Sequence, residues 1–431
     1  MQRYDTYKDS GVKWLGEIPS HWEVIKSKYL WKESFSISEN GNEELLSVSQ
    51  YDGITPAKGD SRSESLKGYK IVSENDLVVN IMLAWMGGLG VSKYDGIVSP
   101  AYCVYKLTKD SNPKYLHYLY KTPLYLAEFA RHSTGVIPSR WRMYTDDFGQ
   151  VVSLLPPRKE QDAIVEYLDE KMAKIDAAIA QQQKMIDLLN ERKQIIINRA
   201  VTKGLNPNAK MKDSGVEWIG EVPEGWEVNK FKNLYKTRTG ITFTKAELVE
   251  FGERVISYGQ IHSKENWRAS VNPDLIRYIP MFLTEGKTGA LAEKGDFLFA
   301  DTSEDFEGCG NNVYIDTDEP IYAGYHTILA KCNNNQCGAY LAYLFASTKW
   351  RGQIRSMVNG VKVYSITQSI IKNASVILPS IDEQKEIAEY IKNRVIVIDK
   401  AIKSHNQKIS LLQERKQIII NEVVTGKVKV V

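Results

Sequence analysis

The chain carries two copies of one sequence unit, and this duplication constrains its fold more than any other feature. The opening segment KDSGVKWLGEIPSHWEV at residues 8–24 returns 204 residues later as KDSGVEWIGEVPEGWEV. The segment LLNERKQIIIN at residues 188–198 returns 223 residues later as LLQERKQIIIN. Two copies in one chain predict a pseudo-two-fold molecule, which suits a target that also has two halves.

The stretches between the repeated segments have diverged. Residues 29–155 and 233–378 share only scattered identities, and the second copy carries 19 more residues between its motifs. Similar frames around dissimilar contents predict two globular domains that recognise different things.

Two long helices are predicted after Pro156-Pro157 and Pro379, because each proline follows an apolar run and precedes a long stretch without proline or glycine. Apolar residues recur three and four apart in both stretches, which is typical of a heptad seam. About five heptads exceed what one small domain covers, so we expect the helices to pair, in the antiparallel orientation; the alternative is that each covers its own domain. The seam comprises Leu168, Ile175, Ile179, Gln182, Ile186 and Leu189, and Ile391, Ile398, Ile402, His405, Ile409 and Leu412.

Two further expectations follow from the repeat. Gln182 and His405 occupy matched central seam positions, where they either form a polar contact that fixes the register or face solvent at a loosened seam. Pseudo-symmetry also predicts that residues 8–24 pack beside residues 421–427, which makes the repeat cyclic.

Composition excludes several classes of protein. The chain is 43% hydrophobic and 25% charged, as in globular proteins, and no apolar run approaches a membrane span or signal peptide, so we expect a cytoplasmic protein with no membrane association. Four cysteines are too few for a disulfide framework. Cys332 and Cys337 with His326 match no common zinc spacing, so neither a metal nor a cofactor is expected.

No catalytic residue is predicted. Asp274, Glu285 and Lys287 match a loose nuclease pattern, but the first copy has no equivalent and Pro280 would interrupt the required strand. The Gly286-Lys287-Thr288 sequence has Met281 where a phosphate loop needs its first glycine.

Polar and basic segments recur at equivalent places in both copies. The predicted basic loops 131–144 and 350–365 precede the last predicted strand of each copy, and the predicted polar loops 49–51 and 258–260 form a second pair. Such segments are often only solvated surface, but their recurrence favours contact with DNA phosphates and bases. The candidates are Gln50, Tyr51, Lys58, Arg62, Arg131, Ser139, Arg140 and Arg142 in the first copy, and Tyr258, Gln260, Arg351, Arg355, Lys362 and Tyr364 in the second.

Tryptophans at fixed spacing in the repeated opening segments, by contrast, are predicted to pack against neighbouring surfaces. They are Trp14, Trp22, Trp218 and Trp226.

One combination of motifs spans nearly the whole chain. The sequences LPPxxEQ at 155–161 and LPSxxEQ at 378–384 each lead into a helix that ends in ERKQIIIN and a Val-Thr pair, and each copy has the GVxWxGExPxxWEV opening. This combination resembles the specificity subunit of type I restriction-modification systems. The resemblance implies an α+β fold with two α/β target-recognition domains, at 1–155 and 205–378. It also implies two conserved helices, at 156–204 and 379–431, which form an antiparallel coiled coil.

The same resemblance implies a function and partners. Each domain would read one half of a bipartite site in double-stranded DNA, and the helices would set the distance and bind methyltransferase subunits, expected to be two. Restriction and translocase subunits would join through the complex, and this chain would itself be non-catalytic. A coiled-coil scaffold without DNA reading and a self-contained nuclease are the alternatives.

Overall fold

Two compact units make up the chain. The computed structural model describes residues 2–50, 53–57, 65–137, 140–333, 335–360 and 362–430. Unit 1 comprises residues 1–183 and 406–431, and unit 2 comprises residues 184–405. The long helices α4 (Arg158–Lys203) and α10 (Ile381–Val424) each contribute to both units, so the units do not coincide with the four predicted segments.

Unit 1 is built of short strands and three short helices around the start of α4. Its four-stranded sheet has the order β4-β11-β8-β9, and the pairs β1-β2, β3-β12, β5-β6 and β7-β10 are antiparallel. The elements are β1 (Tyr7–Asp9), β2 (Glu17–Pro19), β3 (Glu23–Lys26), β4 (Trp31–Ser34), β5 (Leu46–Ser49), β6 (Gly53–Pro56), β7 (Lys70–Val72), β8 (Leu77–Asn80), β9 (Leu89–Val91), β10 (Gly96–Val98), β11 (Tyr102–Leu107), α1 (Pro113–Tyr120), α2 (Pro123–Arg131), α3 (Thr145–Gln150) and β12 (Val152–Leu155).

Unit 2 repeats this frame and adds a second four-stranded sheet. Its sheets have the orders β16-β24-β20-β22 and β18-β17-β23-β19, and β13-β14, β15-β26 and β21-β25 are antiparallel pairs. The elements are β13 (Met211–Asp213), β14 (Glu221–Pro223), β15 (Glu227–Lys230), α5 (Phe231–Leu234), β16 (Tyr235–Thr239), β17 (Glu253–Ile256), α6 (Tyr258–Ile261), β18 (Arg277–Ile279), β19 (Leu291–Ala292), β20 (Phe297–Ala300), β21 (Thr302–Ser303), β22 (Asn312–Tyr314), β23 (Ile321–Ala323), β24 (Thr327–Cys332), α7 (Gly338–Ala346), α8 (Thr348–Arg355), β25 (Tyr364–Ser365), α9 (Gln368–Asn373) and β26 (Ser375–Leu378). No helix among the described residues is long and apolar enough to cross a membrane.

The repeated tryptophans anchor the opening segment of each unit to the start of a long helix. The indole Nε1 of Trp22 donates to Glu160 at 3.1 Å, and that of Trp226 donates to Glu383 at 3.0 Å. Both indoles are buried, at 0% and 2% exposure, so each motif glutamate satisfies a buried donor. This confirms the prediction that these tryptophans have a packing role.

The motif glutamine is the second anchor of each long helix. In unit 1 the buried Gln161 donates from Nε2 to the carbonyl of Pro156 at 2.8 Å and accepts from the main-chain N–H of Asn112 at 2.7 Å. Gln384, which is also buried, makes the equivalent pair of bonds in unit 2. One side chain therefore joins the start of a long helix to the segment that leads into α1 or α7.

The N-terminal segment packs beside the C-terminal end of the chain within unit 1. The Tyr7 hydroxyl donates to the carbonyl of Gly426 at 3.1 Å, and the Tyr115 hydroxyl contacts the carbonyl of Val424 at 3.2 Å. Gly426 has a φ of +74°, and a Cβ there would lie 2.4 Å from Cδ of Pro19. These contacts confirm the predicted packing of the opening segment.

Within each unit, α4 and α10 run antiparallel. In unit 1, Lys416 near the end of α10 pairs with Asp176 of α4 at 2.6 Å. Gly426, just beyond the end of α10, lies close to Trp22, whose indole contacts Glu160 near the start of α4. In unit 2, Lys193 pairs with Asp399 at 2.8 Å. A Cβ on Gly204, just beyond the end of α4, would lie 3.1 Å from Oε1 of Glu383, near the start of α10.

The predicted seam positions are all buried or half-buried, although many of their neighbours on both helices are exposed. Gln182 and His405 are half-buried and belong to different units, and their mutual contact stays a prediction.

Replacing the motif glutamine should destabilise one unit. We expect Gln161→Ala to lower the free energy of unfolding by about 2 kcal/mol, because a buried carbonyl and a main-chain N–H lose their partner. Chemical denaturation followed by tryptophan fluorescence measures this loss, with Lys159→Ala, at an exposed neighbouring position, as the control. Equal unfolding midpoints for the two variants would contradict the anchoring role.

Candidate nucleic-acid interface

The basic segment of unit 1 begins where α2 ends. Arg131 donates from Nε and Nη2 to the carboxylate of Glu128 at 2.8 and 2.6 Å. Glu128 is 5% exposed, whereas the Arg131 side chain is 65% exposed. The bidentate pair therefore holds an exposed guanidinium in a defined position.

The rest of this segment forms a small hairpin. Thr134 and Arg142 exchange two main-chain hydrogen bonds of 2.9 Å. A Cβ on Gly135 would lie 2.6 Å from the carbonyl oxygen of Arg140, so this close approach requires glycine. Arg140 is exposed and Arg142 is half-buried, while Ser139 lies outside the described residues.

Packing brings the hairpin to a glycine-rich turn and to Gln50. Trp141 contacts Trp85 edge to face, with ring centroids 5.3 Å apart. Lys121 donates to the carbonyls of Gln50 and Gly87 at 3.1 and 2.6 Å, so the turn at 84–88 joins the two predicted segments. The signal for this turn in the sequence is a tryptophan, Trp85, close to three glycines. Tyr51, Lys58 and Arg62 lie outside the described residues.

In unit 2 the predicted polar loop at 258–260 is wrong, because Tyr258 and Gln260 lie in α6. The side-chain oxygen of Gln260 accepts from the main-chain N–H of Ser257 at 3.0 Å, as in a capping box. Local capping therefore produced one helical turn where composition alone indicated a loop.

The predicted basic loop at 350–365 is also wrong in its first part. Trp350, Arg351 and Arg355 lie on α8, whose first turn is capped by Ser347 through a 3.2 Å bond from the Trp350 N–H. Trp350 is fully buried and Arg351 is 6% exposed, so packing of this face stabilises the helix. Lys362, which is exposed, and Tyr364, on β25, follow the helix.

A polar cleft of about 330 Å³ lies beside β25 in unit 2. Strand β25 pairs with β21, and the imidazole Nε2 of His262 contacts the carbonyl of Thr302 on β21 at 2.8 Å. The ring of Tyr258 packs against that of His326, with centroids 5.5 Å apart. The predicted residue Tyr364 therefore lies on a strand that lines the cleft, and Tyr258 contacts His326, which also lines it. It is lined by Thr239, Asp301, Thr302, His326, Thr327, Ile328, Ser365, Ile366, Thr367 and Gln368.

The cleft holds preoriented donors and acceptors. Thr237 donates to Oε1 of Gln368 at 2.7 Å, and Nε2 of Gln368 donates to Thr239 at 3.1 Å. His326, whose φ is +54°, contacts the carboxylate of Asp301 at 3.2 Å. Hydroxyl, amide, imidazole and carboxylate groups together offer the hydrogen-bonding types that base edges require.

Unit 1 has a different polar pair at the equivalent place. Thr145 donates to the carboxylate of Glu33. Glu33 lies on β4 and Thr145 is the first residue of α3, just as Thr237 lies on β16 and Gln368 is the first residue of α9. Sequence reasoning missed both pairs, because their members lie 112 and 131 residues apart and no local spacing marks them.

The unit 1 hairpin should contribute to nucleic-acid affinity and little to folding. We expect the double change Arg140→Ala and Arg142→Ala to weaken DNA binding and to reduce the slope of log affinity against log salt by up to about 2, because each lost phosphate contact removes about one unit. Salt titration of binding measures the slope.

The matched control for that variant removes two exposed lysines from the opening segment, Lys8→Ala with Lys13→Ala. Both double variants should keep the wild-type melting temperature. If the hairpin variant and the control showed the same slope of log affinity against log salt, Arg140 and Arg142 would not be part of the interface.

Comparison with known proteins identifies relatives over the whole length. Residues 223–414 match the family model of the type I restriction modification DNA specificity domain. The MjaVIII specificity subunit of a type I restriction enzyme of Methanocaldococcus jannaschii is 23% identical over 98% of this chain and 97% of its own length. The EcoKI specificity subunit of Escherichia coli is 23% identical over 63% of this chain and 56% of its own length.

A solved structure has the same fold. It is a chain from a study of complex assembly and conformational transition of the type I R-M system, with a TM-score of 0.63 and 13% identity over 94% of this chain and 98% of that one. Together with the duplicated motifs and the matched anchors of the two units, these findings show that the chain is similar over nearly its whole length to specificity subunits of type I restriction enzymes, and that residues 223–414 match their DNA specificity domain.

Proposed function

We propose that this chain is the DNA-reading subunit of a type I restriction-modification complex and that each unit reads one half of a bipartite site. The observation that carries this proposal is the pair of matched positions with different chemistry. Glu33 with Thr145 in unit 1 and Thr237 with Gln368 in unit 2 occupy the same place in the same frame. A conserved frame with different donors and acceptors is what two readers of different bases require.

The surroundings of these pairs support a nucleic-acid ligand. In unit 1 the basic hairpin leads directly into Thr145, and in unit 2 the segment after α8 leads through Lys362 and Tyr364 to Gln368. Basic side chains that bind phosphates would thus lie close in sequence to polar groups that read bases.

We further propose that α4 and α10 form one antiparallel coiled coil that sets the spacing between the half-sites. The support is the continuity of α4 over 46 residues, about 69 Å at the usual helical rise, and the antiparallel pairing within each unit. The exposed faces of these helices would bind methyltransferase subunits, and restriction subunits would join through that complex. In this assignment the chain is non-catalytic and acts in the cytoplasm.

Exchange of one insert tests independent reading. Replacing residues 29–155 with the corresponding region of another specificity subunit should change only one half of the methylated motif, since the pair that differs lies within unit 1. Methylome sequencing of cells with the complete system reads the motif, and exchange of 233–378 is the reciprocal control. Changes in both halves after a single exchange would refute the assignment.

An insertion tests the helices as a ruler. Four residues inserted after Gln182 should displace one unit by about 6 Å along the helix axis and change the spacer or abolish activity, with the bases of each half-site unaltered. The control places the same four residues after Asn208, in the turn beyond α4, where the seam is untouched. Recovery of the original spacer after the Gln182 insertion would contradict the ruler.

A further inference from the structure

A group of arginines beside the polar cleft of unit 2 has little compensating charge. Arg351 and Arg355 lie four residues apart on α8, and both donate to the main-chain carbonyl of Glu307. The Nε atoms of both are buried and, within the described part of the chain, have no hydrogen-bond partner. The site therefore has buried donors that are not satisfied.

A third arginine adds to this positive charge. Burial lowers the pKa of Arg268, and the positive charge of Arg355 lowers it further. Burial, followed by the charges of Arg268 and Arg355, lowers the pKa of Arg351 to about 9. Each guanidinium thus lies in the field of another positive charge.

The compensating carboxylate is exposed. Oε2 of Glu307 forms an ion pair with Nη2 of Arg355 at 2.7 Å, and the Glu307 side chain is 79% exposed while that of Arg355 is 12% exposed. Buried cations are normally paired, and an exposed ion pair is only weakly stabilising. An anion with more acceptor oxygens could therefore displace this carboxylate without opening the core.

We propose that Arg351 and Arg355 form a binding site for one phosphate group of a nucleic-acid backbone, and that the Glu307 carboxylate occupies this site until the phosphate binds. This inference rests on the proposed function and adds a regulatory element to it. Glu307 then disfavours weak nonspecific DNA contacts, because every phosphate must compete with an internal carboxylate.

The chemistry and the location both favour a backbone phosphate. Guanidinium groups bind phosphate oxygens with strong charge-assisted hydrogen bonds, and a phosphate group has more acceptor oxygens than the carboxylate that it would replace. The residue before Glu307, Phe306, packs edge to face on Tyr364 at 5.5 Å, and Tyr364 lies on the strand beside the polar cleft. A strand of DNA read in the cleft would therefore have phosphates close to the arginines.

The test compares Glu307→Gln with Glu304→Gln in the full-length chain. Both changes remove one negative charge from the same exposed segment, but no described contact joins Glu304 to an arginine. With a mixed-sequence DNA duplex as probe, Glu307→Gln should bind about 3- to 10-fold more tightly than Glu304→Gln, since only the former removes the competing carboxylate.

A second pair of variants removes the arginine side. Arg355→Gln should bind the duplex more weakly and with a smaller salt slope than Lys349→Gln, an exposed change on the same helix. Inorganic phosphate, compared with chloride at equal ionic strength, should raise the melting temperature of Glu307→Gln but not that of Arg355→Gln. The phosphate measurement tests the site without DNA.

The outcomes separate this inference from the proposed function. If the wild-type chain binds DNA with a strong salt dependence but both variants behave as their controls, the inference is wrong and the proposed function stands. If phosphate raises the melting temperature but the duplex neither binds nor competes with it, the site takes free phosphate and both proposals fail.

Discussion

A half-buried glutamate and a buried glutamine at the start of each long helix hold the rest of the structure in place. Glu160 and Gln161 in unit 1, like Glu383 and Gln384 in unit 2, satisfy a buried indole, a proline carbonyl and a main-chain N–H. Leaving such groups unpaired is costly, so these contacts favour one arrangement of the opening segment, the short helices and the long helix. The strict repetition of the EQ motif follows from this requirement.

A frame held in this way tolerates change elsewhere. The inserts differ in length and in sheet content, and unit 2 has an additional sheet, β18-β17-β23-β19. Even so, the first strand of the main sheet and the first residue of the last short helix meet in both units, as Glu33 with Thr145 and Thr237 with Gln368. The side-chain chemistry at this position can therefore diverge while the fold persists.

The two units also differ in how they present positive charge. Unit 1 exposes Arg131 and Arg140 at the end of α2 and on a hairpin, whereas unit 2 buries Arg351 against a main-chain carbonyl. Exposed arginines favour early, salt-sensitive encounters with DNA. Buried ones favour a defined phosphate position, since their guanidinium planes are already oriented. Unit 1 would then bind its half of the target mainly through long-range electrostatic attraction, and unit 2 would bind its half mainly through oriented phosphate contacts.

The sequence by itself determined the features that depend on local spacing. The duplicated motifs predicted that one frame occurs twice, and three-four apolar spacing without proline or glycine predicted both long helices. Only the tertiary structure decided which part of each helix joins which unit, because that depends on packing between distant segments. Tertiary contacts also placed Trp350 and Arg351 on a buried helix rather than in a loop. They brought together polar pairs 112 and 131 residues apart, which no local pattern encodes.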